Sequence, residues 1–428
     1  MEDAGGAGEP KEPGEPGEPG EAEGRERSLL RNGDFLRLWL GQVLSSAGSG
    51  VSRLALPLLV LALTGSPAQA GLIAAAQSFP FILLGLPAGA LLDRWNRKRV
   101  MVLCDGARCL AFGSVPLVWW LGALTMPHLY GVALVHGTAL AFFNIAQLAA
   151  LPRVVPKAQL ARAHSLNTAS EGVATLASPG VGGLIIAAAS TTVAGAALAY
   201  LVDAASYAVS VAMLSTIRTP FQGSRTAAPL RHLHLKILEG LHYIWSRPPL
   251  RQLWTVNMLH RMCFAPVQLS VVVLATQVLG VDPRGVGLLF SAAGAGGLTA
   301  SVFTPWLRTR VSVGHSMLGL TACHALGLAL VAGAPSPWVA AAGLFVTGVM
   351  ETMTGIVQVS YRLSVIPDGL QGRVNSSYRF MSFTAVAVGA AAGGMLLEQL
   401  GPRVVLLLLA SGIALISAGI GLTGARRI

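Results

Sequence analysis

Long apolar stretches recur along the whole chain, and they constrain the fold more than any other feature of the sequence. Each is at least about 20 residues long, the length that a helix needs to cross the hydrocarbon core of a bilayer. Only 11% of the residues are charged, against about 25% in an ordinary soluble protein. The sequence therefore predicts an all-α membrane protein with twelve transmembrane helices. The predicted spans are 35–63, 69–92, 100–122, 127–151, 165–188, 193–216, 250–279, 285–307, 314–333, 336–362, 376–399 and 403–424.

Lysine and arginine are concentrated in every second connection between these spans. The densest clusters lie at 94–99 and 218–251, whereas the alternate connections hold only Arg284 and Arg403. Basic residues of membrane proteins gather in the cytoplasmic connections. This distribution explains the net charge of +11 without nucleic acid as a partner. We expect a multi-pass protein of the cell inner (cytoplasmic) membrane with both termini in the cytoplasm.

The chain also divides into a polar tail and two similar halves. Residues 1–28 contain the stretch "EPKEPGEPGEPGEAEG", whose composition predicts a disordered acidic Pro/Gly-rich cytoplasmic tail. A shift of 211 residues places "VVPKAQLARAHS" on "VIPDGLQGRVNS". We therefore predict an N-terminal six-helix bundle at 29–218, a cytoplasmic central loop at 219–249 and a C-terminal six-helix bundle at 250–428. Parallel repeats of this kind are typical of transporters that bind substrate between their halves.

The charged loop after the second span carries a recognisable motif in "GALLDRWNRKRV", residues 89–100. It resembles the signature of the major facilitator superfamily, with Asn96 in place of the usual glycine. The matching positions are Gly89, Leu91, Asp93, Arg94, Arg97 and Lys98. Because asparagine tolerates a left-handed turn, we expect the tight reversal to be retained at Asn96. The resemblance covers residues 30 to 424 and implies the major facilitator fold.

In that family the loop motif is a cytoplasmic gate. The resemblance implies that Asp93 faces the positive amino end of a neighbouring helix. It also implies that the adjacent bases pair with acids or helix carboxyl ends of the other half. The alternative is that these charges only anchor the topology.

A second motif bears on the direction of transport. "GVATLASPGVGGLI" resembles the antiporter signature of the fifth helix at Pro179, Gly182 and Gly183, although Ser178 replaces its first glycine. In the family this motif accompanies export, and the alternative is ordinary close packing of small residues. Further stretches resemble a branch that contains enterobactin exporters and macrolide efflux proteins.

Several charged residues lie within the predicted spans, where an ionised side chain is costly and usually has a partner or a function. Glu351 ranks first as the proton-coupling residue, because its helix lines the cavity in the family. Its alternative is a fixed ion pair with Arg53 or Arg261. Asp105 and Arg108 are expected to form a local structural pair. The further candidates for coupling are Glu171, Asp203 and Arg53. The candidate cavity residues are Asn144, Asn257, Arg261, Gln268 and Gln358.

The sequence lacks the motifs of several other functional classes. It contains no phosphate-binding GxxxxGK[ST] loop, no HExxH and no GxSxG motif, so we expect no enzyme activity, cofactor or metal. The prediction is a monomeric secondary active transporter that exports a small amphipathic drug, siderophore or natural product by proton antiport with alternating access. Its partners would be that substrate, protons and the lipid bilayer. The alternatives are an importer of a small solute and a non-transporting membrane receptor or scaffold.

Overall fold

The computed structural model describes residues 29–92, 94–222 and 240–422, which are almost entirely helical. The predicted tail, 1–28, and residues 223–239 of the predicted central loop lie outside these ranges. The helices are α1 Gly33–Thr64, α2 Pro67–Leu92, α3 Arg97–Trp120, α4 Met126–Val154, α5 Leu160–Ala187, α6 Thr192–Thr216, α7 Pro248–Val278, α8 Pro283–Arg310, α9 Val313–Ala332, α10 Pro337–Val365, and α11 and α12 within Asp368–Leu422.

Glycines in the left-handed conformation separate neighbouring helices. Gly401 has a φ of 75° and is followed by Pro402, so it divides the last helical run into α11 (368–400) and α12 (402–422). Gly65, with a φ of 68°, ends α1 in the same way. Side chains with a Cβ rarely adopt this backbone region, which is why glycine occupies both positions.

The described helices fit the predicted membrane spans. Ten of them, counting 370–422 as one, are long and apolar enough to cross a bilayer. That last run crosses twice because Gly401 breaks it. Helix α5 is less apolar but has the length of a span. Helices satisfy their own backbone hydrogen bonds, as lipid requires. The prediction of an all-α membrane protein with twelve spans is confirmed.

The helices pack into two bundles, α1–α6 and α7–α12. Within the first bundle α1 packs on α5 and α6, and within the second α10 packs on α8 and α9. The bundles meet where α2 packs on α11 and α5 packs on α8. The duplication is visible in the helix ends, since α4 ends at Val154 and α10 ends at Val365, 211 residues later.

The two interfaces between the bundles are built in the same way. Gly71 of α2 lies against Gly394 of α11, and Gly183 of α5 lies against Gly287 of α8. A side chain at Gly183 would collide with the backbone carbonyl of Pro283. Backbones approach this closely only where side chains are absent.

These glycine contacts lie at one end of the molecule. We call the end that holds Arg94, Arg153 and Arg308 the basic end, and the opposite one, where α2 and α8 begin, the far end. At the far end the Glu398 carboxylate of α11 accepts hydrogen bonds from the Ser66 hydroxyl and, at 3.0 Å, from the Ala68 amide. The far end is thus closed by direct contact between the bundles.

Candidate transport site

Two cavities lie in the middle of the molecule. The larger one, about 500 Å³, lies mostly within the first bundle, and the smaller one, about 280 Å³, lies between the bundles. Arg53 of α1 and Gln268 of α7 line both. Among the other predicted residues, Asn144 and Glu171 line the larger cavity and Glu351 lines the smaller one. The larger cavity has the volume of pockets that bind drug-sized molecules.

The wall of the larger cavity combines polar side chains with aromatic rings. Its uncharged polar residues are Gln42, Ser45, Ser46, Ser49, Ser52, Gln77, Asn144, Gln147, Thr175 and Gln268. Its aromatic residues are Phe112, His136, Phe143, Tyr200 and Tyr207. Rings offer broad apolar contact, and the hydroxyls and amides offer hydrogen bonds that orient a ligand. Such a wall suits an amphipathic molecule.

Arg53 stands at the junction of the two cavities. Its Nε donates to the Ser49 carbonyl at 3.2 Å, and the Gln268 amide of the other bundle donates to the Arg53 carbonyl at 3.2 Å. No carboxylate of the described residues lies within 4.0 Å of its guanidinium. Arg53 is therefore not the ion-pair partner of Glu351.

Arg108 and Asp105 form the local pair expected from the sequence. Arg108 Nη1 lies 3.2 Å from Asp105 Oδ1, and the Ser210 hydroxyl donates to Asp105 Oδ2 at 2.7 Å. The Arg108 guanidinium carbon lies 4.9 Å from the ring centre of Phe143 and 5.4 Å from that of Tyr207. Arg108 also lines the larger cavity, a position that the sequence did not indicate.

Asp203 is fully buried between α6 and α1. Its Oδ2 accepts a hydrogen bond from the Ser52 hydroxyl at 2.5 Å, and its Oδ1 accepts one from Ser206 at 3.2 Å. Among the described residues no cation lies within 4.0 Å of it. Two hydroxyl groups thus satisfy this carboxyl, and it stands behind Ser52 rather than in the cavity wall.

Glu351 lies in a cluster of ionisable residues from three helices. Arg261 Nη1 of α7 is 3.1 Å from Glu351 Oε1, and His260 Nε2 is 3.7 Å from Glu351 Oε2. His260 in turn is hydrogen-bonded to His324 of α9, Nε2 to Nδ1 at 3.1 Å. Arg261 is thus the partner of Glu351. His260 was not among the predicted site residues, although its place beside Arg261 in an apolar helix was a usable signal.

Asn257 and Gln358 contact each other instead of facing a cavity. The Asn257 amide donates to Gln358 Oε1 at 2.5 Å, and the Ser382 hydroxyl donates to Asn257 Oδ1 at 3.2 Å. Both amides are buried, and neither lines the two cavities. The structure therefore places these two predicted cavity residues in the packing between α7, α10 and α11.

The loop motif contacts the end of α6. The Lys98 ammonium donates to the carbonyls of Ser215 at 2.8 Å and Ile217 at 2.6 Å, and Arg97 Nη1 donates to the Phe221 carbonyl at 3.4 Å. Lys98 thus stabilises the carboxyl end of α6, as the helix dipole favours, whereas Arg97 contacts the segment that follows this helix. That helix belongs to the same bundle. The predicted contacts of these bases with the other half concern the conformation in which the basic end is closed, and they stay a prediction.

Other positions of the motif differ from expectation or lie outside the structure. Asn96 has a φ of −68°, so the expected left-handed turn is wrong; its side chain instead accepts a hydrogen bond from the Arg99 amide and begins α3. Arg94 is exposed, and Gly89 has open space around its Cα. Asp93 lies outside the described residues.

The second motif lies at the interface between the bundles. The Pro179 carbonyl and Gly183 face Gly287 of α8, while Gly182 packs on the backbone of Val51 in α1. All three motif positions therefore lie where α5 touches its neighbours towards the far end. Small residues are required there because the helix backbones come into contact.

Known proteins share this sequence pattern and this fold. Residues 38–390 match the Major Facilitator Superfamily. The multidrug efflux pump Tap of Mycolicibacterium fortuitum is 26% identical over 384 residues, which cover 87% of this chain and 91% of the relative.

Two solved structures resemble the fold at low sequence identity. A mutant of the nucleoside transporter NupG superposes with a TM-score of 0.76 at 12% identity, covering 91% of this chain and 99% of that one. A bacterial homologue of the iron transporter ferroportin, in its inward-facing state, superposes with a TM-score of 0.75 at 16% identity, covering 92% of this chain and 98% of that one. With its twelve spans, its duplicated bundles and a family match over most of its length, the chain belongs to the Major Facilitator Superfamily of membrane transporters.

Proposed function

We propose that the protein exports small amphipathic compounds across the cytoplasmic membrane by proton antiport. Similarity to relatives named as multidrug efflux pumps supports efflux of drug-like molecules. The wall of the larger cavity, with its rings, hydroxyls and amides, supports an amphipathic substrate. Siderophores and other natural products that combine rings with polar groups fall within the same chemical range.

The proposed orientation places the basic end in the cytoplasm, following the distribution of lysine and arginine. The closed far end then faces outwards, which supports a conformation that receives substrate from inside. Export requires the far-end contacts at Gly71, Gly183 and Glu398 to separate as the bundles rock. The loop motif, including Asp93, would hold the basic end closed in that second conformation.

The observation that carries the coupling proposal is the position of Glu351. It is the single acid of α10, it lies in the wall of the cavity between the bundles, and Arg261 stands beside it. A carboxyl in this position binds a proton when the far end is open and releases it to the cytoplasm when the basic end is open. Proton binding removes the charge that holds Arg261, and proton release restores the ion pair.

Two further acids have weaker support for a coupling role. Glu171 lines the larger cavity, so it can exchange protons with water there. Asp203 is fully buried behind Ser52 and would need a path through that hydroxyl. We therefore keep Glu351 first and these two as secondary candidates.

Efflux from whole cells tests the proposal. Cells with and without the overexpressed protein are loaded with a panel of cationic, neutral and acidic amphipathic dyes, then energised. We expect faster efflux of at least one dye, abolished by a protonophore. Faster uptake would indicate an importer instead, and unchanged dye levels across the panel would favour a receptor or scaffold. Efflux that persists with the protonophore would argue against proton coupling.

A further inference from the structure

Among the described residues no carboxylate lies within 4.0 Å of the Arg53 guanidinium, and proton-driven export through Glu351 does not use this side chain. An ionised residue in the middle of a span is costly and normally pairs with an acid. Arg53 lies 20 residues into α1, which begins at Gly33, and within the described part of the chain its guanidinium makes one hydrogen bond, through Nε. Since arginine carries five N–H donors, both terminal nitrogens are left for a ligand.

The acids near Arg53 already have partners. Asp105 is paired with Arg108, Asp203 accepts from Ser52 and Ser206, and Glu351 is paired with Arg261.

Glu171 is the one carboxylate in the wall of the larger cavity. Arg108 in the same wall is already paired with Asp105, so Arg53 is the guanidinium that this wall offers to a ligand. One available guanidinium suits a ligand with a single acidic group rather than two.

Arg108 is a second arginine in the wall of the larger cavity. The Arg108 guanidinium is almost fully buried and makes one contact with Asp105, while its Nε and Nη2 have no hydrogen-bond partner among the described residues. The rings of Phe143 and Tyr207 hold it in place. The Arg108 charge is offset by Asp105, but its two unpartnered nitrogens keep a local positive potential behind the wall, which favours an anion at Arg53.

We propose that the larger cavity is a binding site for aromatic acids, in which a carboxylate or enolate of the substrate pairs with Arg53 and its rings lie against the aromatic wall. This inference rests on the proposed export function and names its substrate class. The bidentate geometry of guanidinium and carboxylate favours a planar acidic group. Because Gln268 of the second bundle donates to the Arg53 carbonyl, the ligand would bind where the bundles meet.

Calorimetric binding to the purified full chain in lipid nanodiscs tests this assignment, with empty nanodiscs as the reference for partitioning. The probes are 2-naphthoate and 2-naphthamide, which share a ring system and differ in charge. We expect saturable naphthoate binding that is at least about tenfold tighter than naphthamide binding, the scale of one charge-assisted contact. Arg53→Gln should remove this difference, and the exposed control Arg308→Gln should retain it.

A second variant separates the charge of Arg53 from its shape. Arg53→Lys keeps the charge but loses the planar fork, so we expect intermediate binding. The double variant Asp105→Asn/Arg108→Gln removes the buried pair together, which avoids leaving an unpaired charge, and should weaken naphthoate binding. No saturable naphthoate binding to the wild type, equal binding of the two probes, or unchanged preference in Arg53→Gln would overturn the assignment.

The dye efflux experiment distinguishes this inference from the export proposal. Dye efflux together with equal binding of naphthoate and naphthamide would overturn the acid site and leave export standing. Preferential naphthoate binding without efflux of any dye would support the acid site and contradict export.

Discussion

Arg261 Nη1 lies 3.1 Å from Glu351 Oε1, so the acid of α10 meets its cation within the second bundle. The pair therefore does not bridge the two bundles. Its effect on alternating access must pass through α7, which contacts α1 and α2 of the first bundle and whose Gln268 donates to the Arg53 carbonyl.

Because Arg261 and Glu351 form an ion pair, removal of one partner should destabilise the protein more than removal of both. Arg261→Gln leaves a half-buried carboxylate without its cation, and we expect it to lower stability by about 1–2 kcal/mol, between the values for exposed and buried pairs. Arg261→Gln/Glu351→Gln removes both charges and should recover most of that loss. Thermal unfolding in detergent measures the difference, and a double variant less stable than the single one would contradict this account.

The close contact between α5 and α8 at the far end leaves no room for a side chain at Gly183. Gly183→Val places a side chain against the backbone of α8, so we expect the bundles to separate at the far end and export to slow. The matched control is Gly131→Val, because Gly131 has open space around it.

Spin labels at Leu63→Cys and Leu400→Cys report this separation, since both positions lie at the far end in different bundles. We expect a longer distance between the labels in Gly183→Val and an unchanged one in Gly131→Val. The same distance in both variants would show that the glycine contact does not close this end.

Substitution of Glu398 tests the same closure of the far end with a smaller change in side-chain volume. The Ser66 hydroxyl and the Ala68 amide both donate to the Glu398 carboxylate. Glu398→Gln keeps the size of this side chain but replaces one of its acceptor oxygens with an NH₂ group. We expect a larger fraction of molecules with the far end open, seen as a broader distance distribution for the same two labels. A distribution identical to that of the wild type would remove Glu398 from the far-end closure.

Because the Asn96 side chain caps α3, its removal should lower the stability of the protein. A left-handed turn at this position would instead favour glycine. Asn96→Ala removes the hydrogen bond to the Arg99 amide and should lower stability by about 1 kcal/mol, whereas Asn96→Gly should cost only a few tenths. Thermal unfolding of the two variants provides the comparison. A more stable Asn96→Gly than wild type would indicate that the left-handed turn is favoured after all.

Much of the fold could be predicted because lipid imposes a simple rule on sequence. A span must be long, apolar and helical, so the twelve spans were visible as apolar stretches. The duplication was visible because the halves retain matching residues at the ends of α4 and α10. The turn at Asn96 could not be predicted from the family motif, since asparagine also serves as a helix cap and the local geometry decides between them.

The site was less predictable because it depends on which helix faces meet. The sequence indicated that Glu351 needed a cation but left Arg53 and Arg261 as equal choices. His260 and His324 lie 64 residues apart on α7 and α9, and no local pattern shows that they touch. Asn257 and Gln358 formed polar faces that resembled a cavity lining, yet two amides on facing helices satisfy each other equally well.

The central claim of proton-coupled export through Glu351 is tested most directly by substrate flux in proteoliposomes with an imposed pH gradient. The substrate is the dye that shows the largest efflux in cells, and wild type is compared with Glu351→Gln. We expect the gradient to drive accumulation by the wild type only, while the variant retains exchange without a gradient because glutamine preserves the size of the side chain. Gradient-driven accumulation by Glu351→Gln at the wild-type rate would contradict the account and direct attention to Glu171 and Asp203.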